Sequence, residues 1–89
     1  MRVKALGDPV RLRILELLPR GEGSEKTSNV SDLARDLCVS QPTLSHHLGI
    51  LRNAGLVRYQ KRSRDVYYWT DAENFDSAIR ELQELLRKE

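Results

Sequence analysis

The chain is poor in the residues that small domains often use for extra stability. Its 89 residues include one cysteine and two histidines. An intrachain disulfide is therefore excluded, and so is a zinc site made of four cysteines or of two cysteines and two histidines. The sequence also lacks an apolar run near the roughly 18 residues that cross a membrane, and its first residues lack the apolar core of a signal peptide. Because a lone thiol suits a reducing compartment, we expect a cytoplasmic protein. We also expect no cofactor, and no membrane partner because an apolar spanning run is lacking.

The length limits the size of the core. We expect one domain over residues 1–89, and a domain this small buries only about 60–65% of the surface that its unfolded chain exposes. With disulfides and zinc excluded, association of two copies is the remaining common source of stability.

Charge is unevenly distributed, although the net charge is only +2. Residues 71–89 carry three basic and six acidic side chains, whereas residues 41–70 carry one acidic side chain, Asp65. The basic side chains of the 41–70 block are Arg52, Arg58, Lys61, Arg62 and Arg64. This pattern favours a protein with one anion-facing side, but small domains also segregate charge by chance.

Residues 30–56 carry the most informative pattern. We expect a short helix capped by Ser31, a turn at Cys38–Val39, and a second helix that Ser40 caps and Gly55 ends. Before them, Asp8 and Pro9 predict the start of a core helix with a wide apolar arc, and residues 20–29 read as a surface loop.

The second helix of this pair has two different sides. At 100° per residue, Leu44, Leu48 and Leu51 share one side and are expected to face the core. The opposite side is polar but has no Lys, Glu or Asp before Arg52, unlike a typical solvated helix face. Glutamine, threonine, serine and histidine can all bond base edges in a DNA major groove. We therefore predict a helix-turn-helix in which DNA is contacted by Ser40, Gln41, Pro42, Thr43, Ser45 and His46; an ordinary helical hairpin in a small core is the alternative.

A β-hairpin with a basic tip is predicted after this helix. Residues 56–59 and 66–69 are rich in β-branched and aromatic side chains. The six residues between them contain no glycine, so we expect a loop longer than a tight two-residue turn. Lys61, Arg62 and Arg64 could bind DNA phosphates as a wing, or could simply protect a strand edge.

The last predicted helix, residues 72–88, carries the cleanest apolar stripe. Its members are Phe75, Ala78, Ile79, Leu82, Leu85 and Leu86. The stripe could pack on the core of its own chain, but a homodimer seam would bury it and add stability.

Other reactive side chains give weaker signals. We expect Cys38 to be a small buried hydrophobic residue, with a redox sensor as the less favoured interpretation. His47 should pack at the core margin with one hydrogen bond to backbone or phosphate. No catalytic arrangement is evident, so an enzyme is not expected.

Residues 6–15, 40–48 and 51–57 together resemble the ArsR/SmtB-like winged helix-turn-helix repressors. The resemblance implies a mainly α fold with a small β-hairpin and a homodimer formed through the first and last helices. It places Val3 and Leu6 at that interface with the stripe of the last helix. It also implies repression of transcription through double-stranded DNA carrying a palindromic operator.

The metal-binding residues of that family are not matched. Asn29-Val30-Ser31 stands where the metal sensors carry a Cys-Val-Cys pair, and no histidine follows His47. We therefore expect no metal site. Two other hypotheses remain: a winged-helix module that binds proteins rather than DNA, and a metal-responsive repressor using carboxylates at Asp71 and Glu73.

Overall fold

Five helices and one hairpin make up the described part of the chain. The computed structural model describes residues 2–21 and 29–88. The helices are α1 (Arg2–Ala5), α2 (Pro9–Leu17), α3 (Val30–Leu37), α4 (Gln41–Asn53) and α5 (Ala72–Arg87), and the strands are β1 (Val57–Arg62) and β2 (Asp65–Thr70). The predicted mainly α fold with a small β-hairpin is confirmed. None of the helices within the described ranges has the length and apolarity to cross a membrane.

Helix starts follow the capping chemistry of the sequence. Asp8 accepts hydrogen bonds from the backbone N–H groups of Val10 at 2.8 Å and Arg11 at 3.2 Å. Ser40 accepts one from the N–H of Thr43 at 3.2 Å, so both predicted caps are confirmed.

The predicted cap of α3 was wrong by two residues. Asn29, not Ser31, accepts the hydrogen bond from the N–H of Asp32, at 2.9 Å. Asparagine caps helices as well as serine does, and Val30 can begin the helix. Ser31 therefore lies exposed in the first turn of α3.

The wide apolar arc predicted for α2 is only partly used. Ile14, Leu15 and Leu18 are buried, whereas Leu12 is 48% exposed and Leu17 is 37% exposed. The reason is that α2 packs on α3 and α4, which leaves its far side open within the protomer.

The hairpin is tighter than predicted. Arg62 pairs with Asp65, so Ser63 and Arg64 alone form the turn. Ser63 takes a left-handed backbone conformation with φ of 55°, which two-residue hairpins require and which glycine or asparagine normally supplies. Because neither of those residues is present, the sequence pattern favoured a longer loop.

The edges of the 20–29 segment lie against β2. The backbone of Arg20 pairs with that of Thr70 in an isolated β-bridge, and the backbone of Asn29 pairs in the same way with that of Tyr67. The predicted surface loop between them falls on residues 22–28, outside the described residues.

Asp71 joins the start of α5 to the hairpin. Its carboxylate accepts from the backbone N–H of Asn74 at 2.9 Å and from Nε of Arg58 at 2.7 Å. Asn74 in turn donates to the carbonyl of Gly55 at 2.8 Å. The Asn74 N–H and the Arg58 side chain lower the pKa of Asp71, against the opposing effect of burial.

The Asp71 contacts predict a specific pH dependence. The fold favours the ionised carboxylate, so its contribution to stability is present above the ordinary pKa of 3.8 and is lost as pH falls through the lowered folded value. Asp71→Asn keeps a cap acceptor but removes this contribution. We expect urea unfolding to show a stability deficit for D71N at pH 7 that shrinks at pH 3, and a destabilisation of about 1–2 kcal/mol for D71A at pH 7. An equal D71N deficit at both pH values would contradict the assignment.

Candidate nucleic-acid interface

The inner side of α4 is locked into the core. Leu44, Leu48 and Leu51 are 0%, 1% and 0% exposed, as the helical phase predicted. Because these three leucines fix the rotation of the helix, its polar side must face solvent. The exposed side chains at its N-terminal end are Gln41, Pro42, Thr43, Ser45 and His46.

Some of these polar groups already have partners. The hydroxyl of Ser40 donates to that of Thr43 at 2.9 Å, and the amide of Gln41 donates to Ser31 at 3.3 Å. Within residues 2–21 and 29–88, Ser45 and His46 have no side-chain hydrogen bond. Both can therefore bond a ligand without breaking an existing side-chain hydrogen bond.

The N-terminal turn of α4 suits an anion. It contains no acidic residue, and its first backbone N–H groups carry partial positive charge. A phosphate beside this end would meet no competing carboxylate from its own turn.

Arg11 lies on α2 and connects this helix to α1 and α4. Its Nε donates to the carbonyl of Ala5 at the end of α1 at 2.7 Å, and its Nη1 lies 3.3 Å from Nδ1 of His47. Because a guanidinium can only donate, this contact is a hydrogen bond in the His47 tautomer whose Nδ1 is the acceptor. Within the described residues, the hydrogen-bond partner of the His47 ring is thus the Arg11 guanidinium rather than a backbone group, and the phosphate partner stays a prediction.

The β1–β2 hairpin, called the wing from here on, presents its basic side chains to solvent. Lys61, Arg62 and Arg64 are all exposed. Arg62 lies over the ring of Tyr67 at 5.8 Å and donates to Gln60 at 3.3 Å. None of the three forms an ion pair with a carboxylate in the described ranges, so their charge is available to an anion.

One exposed arginine of α4 was counted in the sequence only as a charge. Arg52 follows Ser45 by seven residues, close to two helical turns, and so shares its side of the helix. Arg52 was not among the residues predicted to contact DNA, although this spacing from Ser45 could have placed it there.

The predicted dimer residues are divided between core and surface. Leu6 and Ala78 are buried in the protomer at 6% and 0% exposure, whereas Leu85 and Leu86 are 50% and 65% exposed. Val3, Phe75, Ile79 and Leu82 are half-buried. The apolar stripe therefore packs on the core near the start of α5 and is exposed to solvent near the end of this helix.

Cys38 is exposed, so its predicted burial was wrong. It ends α3 in a left-handed conformation with φ of 57°, which turns the chain toward α4 and points its side chain outward.

As for metals, the described residues contain no group of three or more His, Cys, Asp or Glu side chains placed to hold an ion.

A helix pair with a polar outer face, beside a basic two-stranded wing, defines a winged helix-turn-helix DNA-binding domain. The family model described as "Bacterial regulatory protein, arsR family" matches residues 8–59. This chain belongs to that family and is a DNA-binding transcriptional regulator.

Individual relatives agree with this assignment. An uncharacterised HTH-type transcriptional regulator of Methanocaldococcus jannaschii is 39% identical over 82 residues, covering 92% of this chain and 88% of that protein. The transcriptional repressor SdpR of Bacillus subtilis is 35% identical, covering 73% and 67%. The solved structure of the regulator HlyU from Vibrio vulnificus has a TM-score of 0.71 at 35% identity, covering 93% of this chain and 81% of that one.

The Arg11 hydrogen bonds predict energetic coupling between α2 and α4. Arg11→Met keeps the aliphatic stem but leaves the carbonyl of Ala5 and Nδ1 of His47 without a donor, so we expect a destabilisation of about 1–3 kcal/mol in urea unfolding. R11M combined with His47→Ala should cost less than the sum of the single variants by at least about 0.5 kcal/mol. Additive effects would mean that the two side chains do not interact.

Proposed function

We propose that this protein is a sequence-specific repressor that binds a palindromic operator as a homodimer. The observation that carries the proposal is the exposed polar N-terminal end of α4, whose orientation the buried leucines determine. SdpR is a transcriptional repressor, and a relative from Agrobacterium fabrum that is 38% identical over 66 residues is a biofilm growth-associated repressor. The protein would block transcription by occupying promoter DNA.

Base reading is assigned to the first turns of α4. Gln41, Thr43, Ser45 and His46 offer donors and acceptors that fit base edges in the major groove. Ser40, Pro42 and the helix N-terminus would lie at the flanking phosphates, and Lys61, Arg62 and Arg64 would contact the backbone from the wing.

Dimerisation through the terminal helices is supported by exposed apolar surface. Leu85 and Leu86 are largely uncovered near the end of a 16-residue helix, and α1 packs against α5 in the same protomer. A second copy would cover these leucines and place two α4 helices to contact half-sites about one DNA turn apart.

Two alternatives have less support. A protein-binding module needs an apolar patch on the outer side of α4, but the large aliphatic residue nearest that side, Ile50, is half-buried against the core. A metal-responsive carboxylate site needs Asp71, whose two oxygens already serve the α5 cap and Arg58. We infer that the protein acts by binding and carries out no catalysis.

Base reading predicts a selective loss of specificity. Gln41→Ala with Ser45→Ala should weaken binding to the preferred duplex by about tenfold or more, because each good hydrogen-bonded pairing with a base is worth about 1–3 kcal/mol of discrimination, and should leave binding to a scrambled duplex unchanged. Fluorescence anisotropy with a duplex enriched from a random pool measures both affinities. Full specificity in the double variant would contradict the assignment, and failure of the wild type to enrich any duplex would favour the protein-binding module.

The dimer proposal predicts a change of mass in solution. Leu85→Glu with Leu86→Glu would place four carboxylates in the seam, so sedimentation should show a monomer. Arg80→Glu changes the charge of each protomer by the same amount on an exposed side of α5 away from the stripe, and should remain dimeric. A dimer in the leucine variant, or a monomer in the wild type, would rule out this interface.

A further inference from the structure

A cleft of about 360 Å³ separates the C-terminal end of α4 from the base of the wing. Its lining residues are Arg52, Gly55, Val57, Arg58, Tyr59 and Asn74. The cleft thus lies between the two elements that are proposed to touch DNA, and it contains two arginines in different environments.

Arg58 is neutralised within the protein. Its Nε donates to Asp71 at 2.7 Å, and the side chain of Asp71 is only 13% exposed. A phosphate approaching Arg58 would meet a guanidinium whose charge is already balanced by the carboxylate that caps α5. Arg58 is therefore a structural residue of the hairpin base.

Arg52 is held in a different way. Its guanidinium carbon lies 5.0 Å from the centre of the Tyr59 ring, and no carboxylate within the described ranges pairs with it. A guanidinium held over an aromatic ring keeps its charge and has N–H groups that no carboxylate occupies. The tyrosine therefore orients the positive charge without neutralising it, which is the state that a bidentate phosphate contact requires.

The position of Arg52 along α4 also fits a phosphate better than a base. Arg52 lies on the same side of the helix as Ser45, but about 10 Å further along the axis. The major groove is about 12 Å wide, so a helix that reads bases near Ser45 reaches the edge of the groove near Arg52, where the backbone runs. Tyr59 and Lys61 are two residues apart on β1 and so share one face of the wing, which continues the positive surface toward its tip.

We propose that Arg52, oriented by Tyr59, binds a backbone phosphate of the DNA at the junction of α4 and the wing. The proposal rests on DNA binding through α4, as proposed above, and assigns a phosphate site beyond the helix N-terminus and the wing tip. Tyr59 is a positioning residue, because its effect on DNA passes through Arg52.

The test is the salt dependence of binding. Arg52→Gln should weaken binding about tenfold, equally for the preferred and scrambled duplexes, because it removes a charge-assisted hydrogen bond. The slope of log K against log salt should fall by about 0.9 for each phosphate that the protein no longer neutralises, or about 1.8 for a dimer. Fluorescence anisotropy from about 50 to 200 mM salt measures both effects.

Variants of Tyr59 separate positioning from charge. Tyr59→Phe keeps the aromatic face and should bind as the wild type does. Tyr59→Leu keeps the Arg52 charge but removes the ring, so affinity should fall about threefold with an unchanged salt slope. In the R52Q background, Y59L should have no further effect. Arg80→Gln is the matched control, because Arg80 is an exposed arginine of α5 that bonds Ser77 at 3.2 Å, and it should change nothing.

The outcomes distinguish this site from the proposed function. If R52Q matches the wild type while R62Q with R64Q loses affinity and slope, the phosphate site is wrong and DNA binding through the wing stands. If R52Q weakens the preferred duplex alone, Arg52 reads a base and the proposal is again wrong. Absence of any DNA binding by the folded wild type would overturn the proposed function itself.

Discussion

The burial of three leucines along α4 is the constraint on which the rest of the interface depends. A helix buried on this side can show solvent only the opposite side, so Leu44, Leu48 and Leu51 determine which polar groups meet a ligand. A rotation of one residue would turn the helix by about 100° and place leucine where serine now lies. The core and the DNA-facing surface of α4 are thus two consequences of a single helical phase.

The partners of the arginines divide the surface by role. Arg20, Arg35, Arg58 and Arg87 are paired with carboxylates. The pairs of Arg35 and Arg87 lie within one helix, whereas those of Arg20 and Arg58 join different elements. On α4 and the wing, Arg52 and Arg62 lie over tyrosine rings instead. A ring restricts the motion of the side chain but leaves its charge, so positive potential is concentrated on the side that the sequence already marked as basic.

Apart from the cap of α3, features set by local chemistry could be predicted from the sequence, and those set by tertiary context could not. The caps at Asp8 and Ser40 and the leucine phase of α4 depend on neighbours within one turn, so periodicity and capping rules sufficed. Ser63 adopts a left-handed turn conformation that the pairing of two strands imposes and that its residue type does not indicate. The exposure of Cys38 and the bond between Arg11 and His47 depend on how separate elements dock, which no local pattern encodes.

Selection of bound duplexes from a random DNA pool tests the central claim most directly, because it assumes nothing about the operator. Two α4 helices related by a two-fold axis should enrich an inverted repeat with half-sites about 10–10.5 base pairs apart, centre to centre. Enrichment of a single half-site would contradict the dimeric interpretation. Failure of a folded, monodisperse protein to enrich any sequence would contradict the claim that the polar side of α4 reads DNA.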